Sequence, residues 1–283
     1  MRNLDVLVNV RGGRRLRDWL LRCSRIESDR PRVYWFRRFP NFGDQLSKDI
    51  LGWVLGTSPT WVSERFRGKI LAIGSILPAA LAEKDIVWGS GAIDRQVIVP
   101  PAGASFVAVR GPLTRMVIKA EIPEVYGDPA LLLPLFCKHP VEKKYRIGVV
   151  PHYHDRALIS ITDPAILVIN VANPWPTVVD AIRSCEVILS SSLHGLIVAE
   201  AYGIPASWIK ISDRLKGGNF KFNDYYLATG RAETEPTRWN GQVNDAVRRI
   251  AQGLEFNPLP LLGAAKGISS IPRVVNQAPT ATG

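Results

Sequence analysis

The chain has 283 residues, of which 46% are hydrophobic and 22% charged, and it carries a net charge of +11. This composition excludes a disordered chain and allows two domains of ordinary size. Three widely spaced cysteines cannot form a disulfide framework. No secretory signal is visible, and no apolar run approaches the about 20 residues of a membrane span. These features together predict a cytoplasmic protein.

The positive charge is concentrated near the N-terminus. Between Arg14 and Ile26, arginines alternate with apolar residues that recur at three- and four-residue spacing, which predicts a basic amphipathic helix. Two interpretations stay open: the helix docks its apolar stripe on the protein body, or it contacts an anionic membrane surface. No nucleic-acid partner is expected, because the basic stretch is short and lacks a recognition motif.

Short apolar runs then alternate with helical patterns, as in parallel βαβ units. Strands are predicted at residues 33–36, 69–73, 85–87 and 106–109, and helices at 45–55 and 112–119. A charged linker follows, framed by Pro134 and Pro140. The alternation restarts with strands at 146–150, 166–169, 187–190 and 206–211, and with helices at 176–184, 196–202 and 243–253.

These two series predict an α/β fold in which two Rossmann-like domains face a cleft. The first domain is expected at residues 1–138 and the second at 145–256, followed at 257–283 by a mobile tail rich in Pro, Gly, Ala and Ser. Ligands of such sheets bind beyond the carboxyl ends of the strands, so the active site is expected between the domains.

Four predicted strand ends carry glycine beside a hydroxyl, amide or charged side chain. Glycine lets the backbone approach a ligand, and a following helix offers unbonded N–H groups to an anion. Several such loops at one edge predict a phosphate or carboxylate site, although the GxGxxG pattern and the P-loop are both absent. The candidate residues are Asn41, Gly43, Asp44, Gly74, Ser75, Gly89, Ser90, Ser192, Leu193 and Gly195.

Two further side chains stand out at strand ends. Arg110 follows an apolar strand, where a guanidinium can hold an anion with two hydrogen bonds; the alternative is a surface arginine paired with a local acid. His194 opens a helix at the mouth of a sheet, a position suited to proton transfer. His152 and His154 lack partner ligands at a familiar spacing, so we predict a loop at the domain junction, no metal site and no cofactor.

Six motifs occur in an order that matches a known family. They are Asn41–Asp44, Trp88–Gly91, Val109–Thr114, Tyr126–Leu132, Ser190–Gly195 and Lys221–Tyr226. Through them, residues 33–231 resemble the polysaccharide pyruvyl transferases, specifically the xanthan-type ketal pyruvyltransferases of bacterial exopolysaccharide synthesis. The resemblance implies a glycosyltransferase-B-like pair of domains with phosphoenolpyruvate as donor. It also implies a terminal hexose of a lipid-linked oligosaccharide as acceptor, and therefore a peripheral position at the inner face of the cell membrane.

The resemblance also implies roles for individual residues. Arg110 would clamp the donor anion, His194 would be the acid–base residue, and Asn41 and Asp44 would line the cleft, with Lys221 as a further anion contact. On chemical grounds, we expect a protonated His194 to supply a proton to the donor's methylene carbon. Asp44 would accept the proton of the attacking sugar hydroxyl.

One position departs from the family pattern. Some relatives carry an arginine where this chain has Ser192, which removes one expected donor contact. The candidates to replace it are Lys221, Arg214 and Arg231.

Two other functions stay open. A sugar-nucleotide-dependent glycosyltransferase on the same architecture would need a site for a nucleobase and a diphosphate. A non-catalytic carbohydrate-binding protein could use some of the eight tryptophans as sugar-stacking faces. However, Trp53 and Trp208 lie within apolar segments and are predicted core residues.

Overall fold

The computed structural model of the chain describes residues 30–241, 254 and 256–270. The basic helix predicted near the N-terminus and the helix predicted at 243–253 lie outside these residues. Two parallel five-stranded sheets form along the described chain, each flanked by helices. The prediction of an α/β protein with two Rossmann-like sheets is confirmed. Within the described ranges, no helix has the length and apolar character to cross a membrane.

The first sheet is built from the first half of the chain. Its strands are β1 (Arg32–Tyr34), β2 (Thr60–Trp61), β3 (Ile70–Leu71), β4 (Ile86–Trp88) and β5 (Ser105–Ala108), and their order is β2-β1-β3-β4-β5. The helices are α1 (Phe42–Leu55), α2 (Leu77–Ala80), α3 (Pro112–Val117) and α4 (Leu133–Phe136), with a 3-10 turn at Pro129–Leu132. Four of the strands match predicted ones, whereas the edge strand β2, which is not buried, was not predicted.

The second sheet repeats this arrangement. Its strands are β6 (Tyr145–Val150), β7 (Ile166–Val168), β8 (Cys185–Ser190), β9 (Ala206–Lys210) and β10 (Thr237–Arg238), in the order β10-β9-β8-β6-β7. Its helices are α5 (Trp175–Arg183), α6 (Leu193–Ala201) and α7 (Phe220–Ala228), with a 3-10 turn at Arg156–Leu158. Strands β6 and β8 contain the apolar runs Ile147–Val150 and Val187–Leu189, because helices cover both faces of a parallel sheet.

Two helices, α1 and α6, begin three residues earlier than predicted. Helix α1 starts at Phe42 because Asn41 is its N-cap: the Asn41 side-chain oxygen accepts a hydrogen bond from the Gly43 N–H at 3.3 Å. Helix α6 starts at Leu193, after the extended residue Ser192. Glycine-containing segments that we predicted as loops are therefore first turns of helices.

The expected C-terminal tail is partly a helix, α8 (Leu259–Ser270). It returns to the first sheet, where the Trp88 indole N–H donates to the Leu261 carbonyl at 2.9 Å and the Leu261 side chain is fully buried. The prediction of a mobile tail was wrong for residues 259–270. It was based on the content of Pro, Gly, Ala and Ser, although the segment also contains apolar residues that cover this sheet. The remainder, 271–283, lies outside the described residues.

Candidate functional site

The carboxyl ends of the two sheets face each other, and we call the space between them the cleft. The loop after β1 meets the loop after β6, with the Phe39 and Tyr153 rings stacked at 5.4 Å between centroids. The first N–H of α1, at Phe42, donates to the carbonyl of Val171 beyond β7 at 3.0 Å. The predicted site residues therefore come from both halves of the chain into one region.

His194 lies in the first turn of α6 and packs against α1 of the other half. Only 7% of the residue is exposed, and the Phe42 ring meets it edge-on at 6.4 Å. A Cβ on Gly43 would lie 2.1 Å from the His194 Nδ1 atom, so no residue larger than glycine fits there without displacing the ring. Gly43, predicted to bind the donor, instead makes room for the imidazole.

The other ring nitrogen of His194 faces a carboxylate that the sequence analysis did not select. His194 Nε2 lies 3.5 Å from Asp128 Oδ2, and neither buried atom has a hydrogen-bond partner in the described part of the chain. The other Asp128 oxygen accepts from the Ala130 N–H at 2.9 Å, which fixes the carboxylate. The pair is therefore positioned for a charge-assisted hydrogen bond when the imidazole is protonated. Asp128 belongs to the Tyr126–Leu132 motif, where it immediately precedes Pro129, but the sequence analysis did not select it as a site residue.

Asp44 lies in the first turn of α1 and is 6% exposed. Burial raises its pKa to about 6 and the Asp128 carboxylate also raises it, while His194, the Asn41 amide and Lys221 lower it. The Asn41 side-chain amide donates to Asp44 Oδ2 at 2.8 Å. A carboxyl group with a pKa this close to neutrality can exchange a proton at working pH.

Gly74 keeps the other side of this carboxylate open. Its φ is +104°, and a Cβ there would lie 2.9 Å from Asp44 Oδ1. Any other residue would be strained and would crowd the Asp44 oxygen. Gly74 thus shapes the site through the space it leaves.

Lys221, in the first turn of α7, is a cation without a counter-ion in contact. Within the described ranges no oxygen accepts a hydrogen bond from its ammonium group, which lies 5.3 Å from the centroid of the Phe222 ring. Burial lowers the Lys221 pKa to about 8 and nearby Arg110 lowers it further, against the carboxylates of Asp44 and Asp155. An ammonium group placed in this way is suited to bind an anion.

Arg110 has a different position from the one predicted. Its side chain has no exposed surface, and Nε donates to Asp224 Oδ2 at 2.9 Å. The two terminal nitrogens donate to the Ser75 hydroxyl at 2.5 Å and the Ala92 carbonyl at 2.6 Å. The sequence analysis predicted either a guanidinium that holds the donor anion or a surface arginine paired with a local acid. Neither prediction matches this geometry, because the guanidinium is buried and its nitrogens already have protein partners. Arg110 ties the first sheet to α7, the helix that carries Lys221.

The three candidates to replace the missing arginine are now distinguishable. Arg231 holds Glu200 through two parallel contacts of 2.7 and 2.9 Å. Arg214 is exposed on the loop after β9. Lys221 is the candidate that combines proximity to Asp44 with an ammonium group that no acceptor holds.

The serine-rich loop after β8 positions the start of α6. Ser191 donates to the buried Asp155 carboxylate at 2.9 Å, and the Ser190 hydroxyl bonds the Ser192 backbone N–H and carbonyl. No described residue accepts a hydrogen bond from the first N–H groups of α6, which are those of Leu193, His194 and Gly195. Such a helix start carries partial positive charge and favours an anion.

Several predicted donor-binding residues pack beneath the site instead. Gly89 has φ +95°, and a Cβ there would lie 2.3 Å from Pro129, next to Asp128. Ser90 is buried and its carbonyl accepts from the Arg110 N–H at 3.2 Å. Gly195 lets α6 approach β8, since a Cβ would lie 2.3 Å from the Ser190 hydroxyl. Leu193 belongs to the hydrophobic core.

The two histidines of the loop after β6 lie side by side, with ring centroids 5.3 Å apart and an interplanar angle of 37°. Burial lowers the His152 pKa to about 3, and the neighbouring Lys221, His154 and His194 lower it too, so the ring is neutral. Across the described ranges, no group of three or more His, Cys, Asp or Glu side chains is arranged to hold a metal ion.

Comparison with known proteins places this site in a family. The polysaccharide pyruvyl transferase family model matches residues 65–213, about half of the chain. An uncharacterized protein of Acanthamoeba polyphaga mimivirus is 26% identical over 223 residues, which cover 72% of this chain and 77% of that protein. A succinoglycan biosynthesis protein of Rhizobium meliloti, ExoV, is 29% identical over 211 residues, covering 70% of this chain and 64% of the relative.

A crystal structure of an uncharacterized Klebsiella pneumoniae protein aligns with a TM-score of 0.40 and 14% identity, covering 74% of this chain and 92% of that one. The family match confirms the prediction of a polysaccharide pyruvyltransferase enzyme. The chain belongs to the polysaccharide pyruvyl transferase family.

Proposed function

We propose that the chain transfers the pyruvyl group of phosphoenolpyruvate to a terminal hexose of an exopolysaccharide repeat unit, as a cyclic ketal. The observation that carries this proposal is the convergence of His194, Asp44 and Lys221 at one point of the cleft, next to the start of α6. Phosphoenolpyruvate is a compact multiple anion, which an unpaired ammonium group and free helix N–H groups bind well.

The first step adds a proton and a hydroxyl to the donor. The protonated His194 imidazole, paired with Asp128, transfers its proton to the methylene carbon of phosphoenolpyruvate. The neighbouring carbon, which carries the phosphate, becomes electrophilic and is attacked by a hydroxyl oxygen of the hexose. Asp44 accepts the proton of that hydroxyl, because its pKa of about 6 leaves it mostly ionised at neutral pH.

The second step closes the ketal. The bond between carbon and phosphate oxygen breaks, and the leaving phosphate takes the electron pair of that bond and the proton held by Asp44. A second hydroxyl of the same hexose attacks the carbon, and its proton returns to His194. One donor and one diol thus give one pyruvate ketal and one hydrogen phosphate, with both acid–base residues restored.

We further propose a glycosyltransferase-B-like arrangement, with domains at residues 1–138 and 145–256 and with α8 packed on the first. The strand ends that face each other across the cleft support it. A lipid-linked acceptor would bring the enzyme to the inner face of the membrane as a peripheral protein. Co-sedimentation with anionic liposomes at low salt tests this; a protein that stays unbound would contradict it.

The reaction itself is tested by incubating the protein with phosphoenolpyruvate and a panel of lipid-linked and synthetic oligosaccharides. We expect acceptor-dependent phosphate release together with a product mass that matches a pyruvate ketal. His194→Ala and Asp44→Asn should each lower turnover by about 10²–10⁴-fold. Losses below about tenfold for both variants would contradict the assigned proton transfers.

The alternative of a nucleotide-sugar donor has less support. The family model that matches residues 65–213 is that of the polysaccharide pyruvyl transferases. Binding of a nucleoside-diphosphate sugar without binding of phosphoenolpyruvate would favour that alternative.

A further inference from the structure

A groove beside the cleft shares one lining residue, Asn41, with the site described above. It lies between the loop after β1, one face of α1 and the start of α5, and encloses about 440 Å³. This volume falls within the range of about 300–1,000 Å³ that is typical of small-molecule sites. We call it the aromatic groove; its main lining residues are Trp35, Phe36, Phe39, Asn41, Gln45 and Trp175.

The aromatic rings that line the aromatic groove are fixed by contacts with neighbouring side chains. The Phe39 ring rests on Tyr153 at 5.4 Å with an interplanar angle of 22°, and yet 49% of Phe39 is exposed. Trp175 donates its indole N–H to Asp49 at 2.6 Å and stands edge-on to Trp53. Trp53, predicted to be a core residue, is itself 37% exposed. Such rigid, exposed rings present a stacking face at low entropic cost.

Polar groups accompany these rings. Asn41 and Gln45 lie one turn apart on α1, and each carries an amide that can both donate and accept a hydrogen bond. Arg37 lies between the Trp35 and Trp61 rings, at 4.4 and 4.5 Å from their centroids. A pyranose ring, apolar on its C–H faces and surrounded by hydroxyls, is complementary to this mixture.

The aromatic groove is joined to the cleft through one residue. Asn41 lines the groove, and its side-chain amide also donates to Asp44, the base proposed above for the attacking hydroxyl. A saccharide lying in the groove therefore has its end directed past Asn41 toward the reacting centre.

We propose that the aromatic groove binds the saccharide chain of the acceptor, with one sugar ring stacked on Phe39 and the terminal hexose beyond Asn41. This inference rests on the proposed function, because it assigns the acceptor site of that reaction. It also identifies the substrate class that the site recognises, which is a chain of at least two sugar units.

The test is a binding titration with depyruvylated oligosaccharides of succinoglycan, xanthan and other exopolysaccharides, followed by tryptophan fluorescence and calorimetry. We expect saturable binding of at least one of them. Phe39→Leu, which keeps bulk but loses the flat face, and Gln45→Ala should each weaken that binding by about tenfold or more. Phe39→Tyr and the control Met116→Ala, at a residue 70% exposed on α3, should leave it within about twofold.

The same variants are titrated with phosphoenolpyruvate, which separates two kinds of failure. If no saccharide binds, or if Phe39→Leu leaves saccharide binding intact, the groove is not the acceptor site, whatever happens to the donor. If saccharide binding depends on Phe39 while phosphoenolpyruvate does not bind at all, the groove stands and the proposed donor is wrong. Circular dichroism melts exclude a loss of folding, which the exposure of Phe39 makes unexpected.

Discussion

Two cations near the cleft, Arg110 and Lys221, share a charge and little else. Arg110 has no exposed surface and gives hydrogen bonds to three partners, one of them the carboxylate of Asp224. Lys221 has no hydrogen-bond acceptor among the described residues, and its pKa is lowered to about 8. A fully buried charge with partners holds the architecture together, whereas a partly buried charge without partners among the described residues costs folding free energy. That cost identifies Lys221, rather than the arginine chosen from the sequence, as the residue left for a ligand.

Removing the carboxylate partner of Arg110 should have the largest effect on stability. Asp224→Ala leaves the guanidinium buried without a counter-ion and also deprives the Thr114 N–H and hydroxyl of their acceptor. We expect a loss of about 3–5 kcal/mol in the free energy of unfolding, measured by urea denaturation. The double variant Arg110→Met/Asp224→Leu should recover part of it, and a loss under about 1 kcal/mol for Asp224→Ala would mean that the pair is dispensable.

Removing the unpaired cation should have the opposite sign. The lowered Lys221 pKa means that folding penalises the charged form, so Lys221→Met should gain about 1–2 kcal/mol of stability at pH 7, allowing for partial exposure. The wild-type deficit should shrink as pH rises from 8 toward 10. The same variant should bind phosphoenolpyruvate at least about tenfold more weakly by calorimetry. Unchanged donor affinity would remove Lys221 from the site.

Donor affinity should also report the charge of Lys221 through pH. Because the ammonium group is protonated below its pKa of about 8, affinity for phosphoenolpyruvate should be highest there. It should fall toward a tenfold loss per pH unit above that value, which corresponds to about 1.4 kcal/mol. Titrations between pH 7 and 10 measure this, with Lys221→Met as the reference. An equal decline in both proteins would assign the titration to another group.

The smallest effect is expected at the hydroxyl that touches Arg110. Ser75→Ala removes one of three acceptors from the guanidinium, and a single hydrogen bond of this kind contributes about 1–2 kcal/mol. Thermal melts should therefore show a modest loss, smaller than that of Asp224→Ala. If Ser75→Ala also weakens donor binding by more than its loss of stability explains, Arg110 takes part in donor binding. The contrast between Arg110 and Lys221 would then be smaller than stated above.

Much of the fold was predictable because parallel strands buried on both faces leave continuous apolar runs. β6 and β8 are examples, and eight of the ten described strands were located from such runs. The edge strands β2 and β10 were not located, because they form by pairing with a neighbouring strand and not from an apolar run of their own. Helix α7 was missed because four consecutive residues, Asn223 to Tyr226, are all buried, so no amphipathic pattern remains.

The site was predictable as a region and less so residue by residue. The resemblance assigned His194, Asp44 and Lys221 to one site, and in the structure both His194 and Lys221 act on the charge of Asp44. The environment of Arg110 depends on Asp224, 114 residues away, and no local pattern announces such a pairing. Asp128 could not be selected from the sequence for the same reason, because its role depends on the His194 ring across the cleft.

Helix α8 has a consequence for the order of events during synthesis. The strands β4 and β5 leave the ribosome long before residues 259–270, and yet the Trp88 indole N–H and the face beneath it are satisfied by Leu261. The apolar face of the first sheet therefore stays uncovered until residues 259–270 have been translated. A protein truncated before α8 would expose that face permanently, and in a crowded cell it would become a client of chaperones rather than a smaller enzyme.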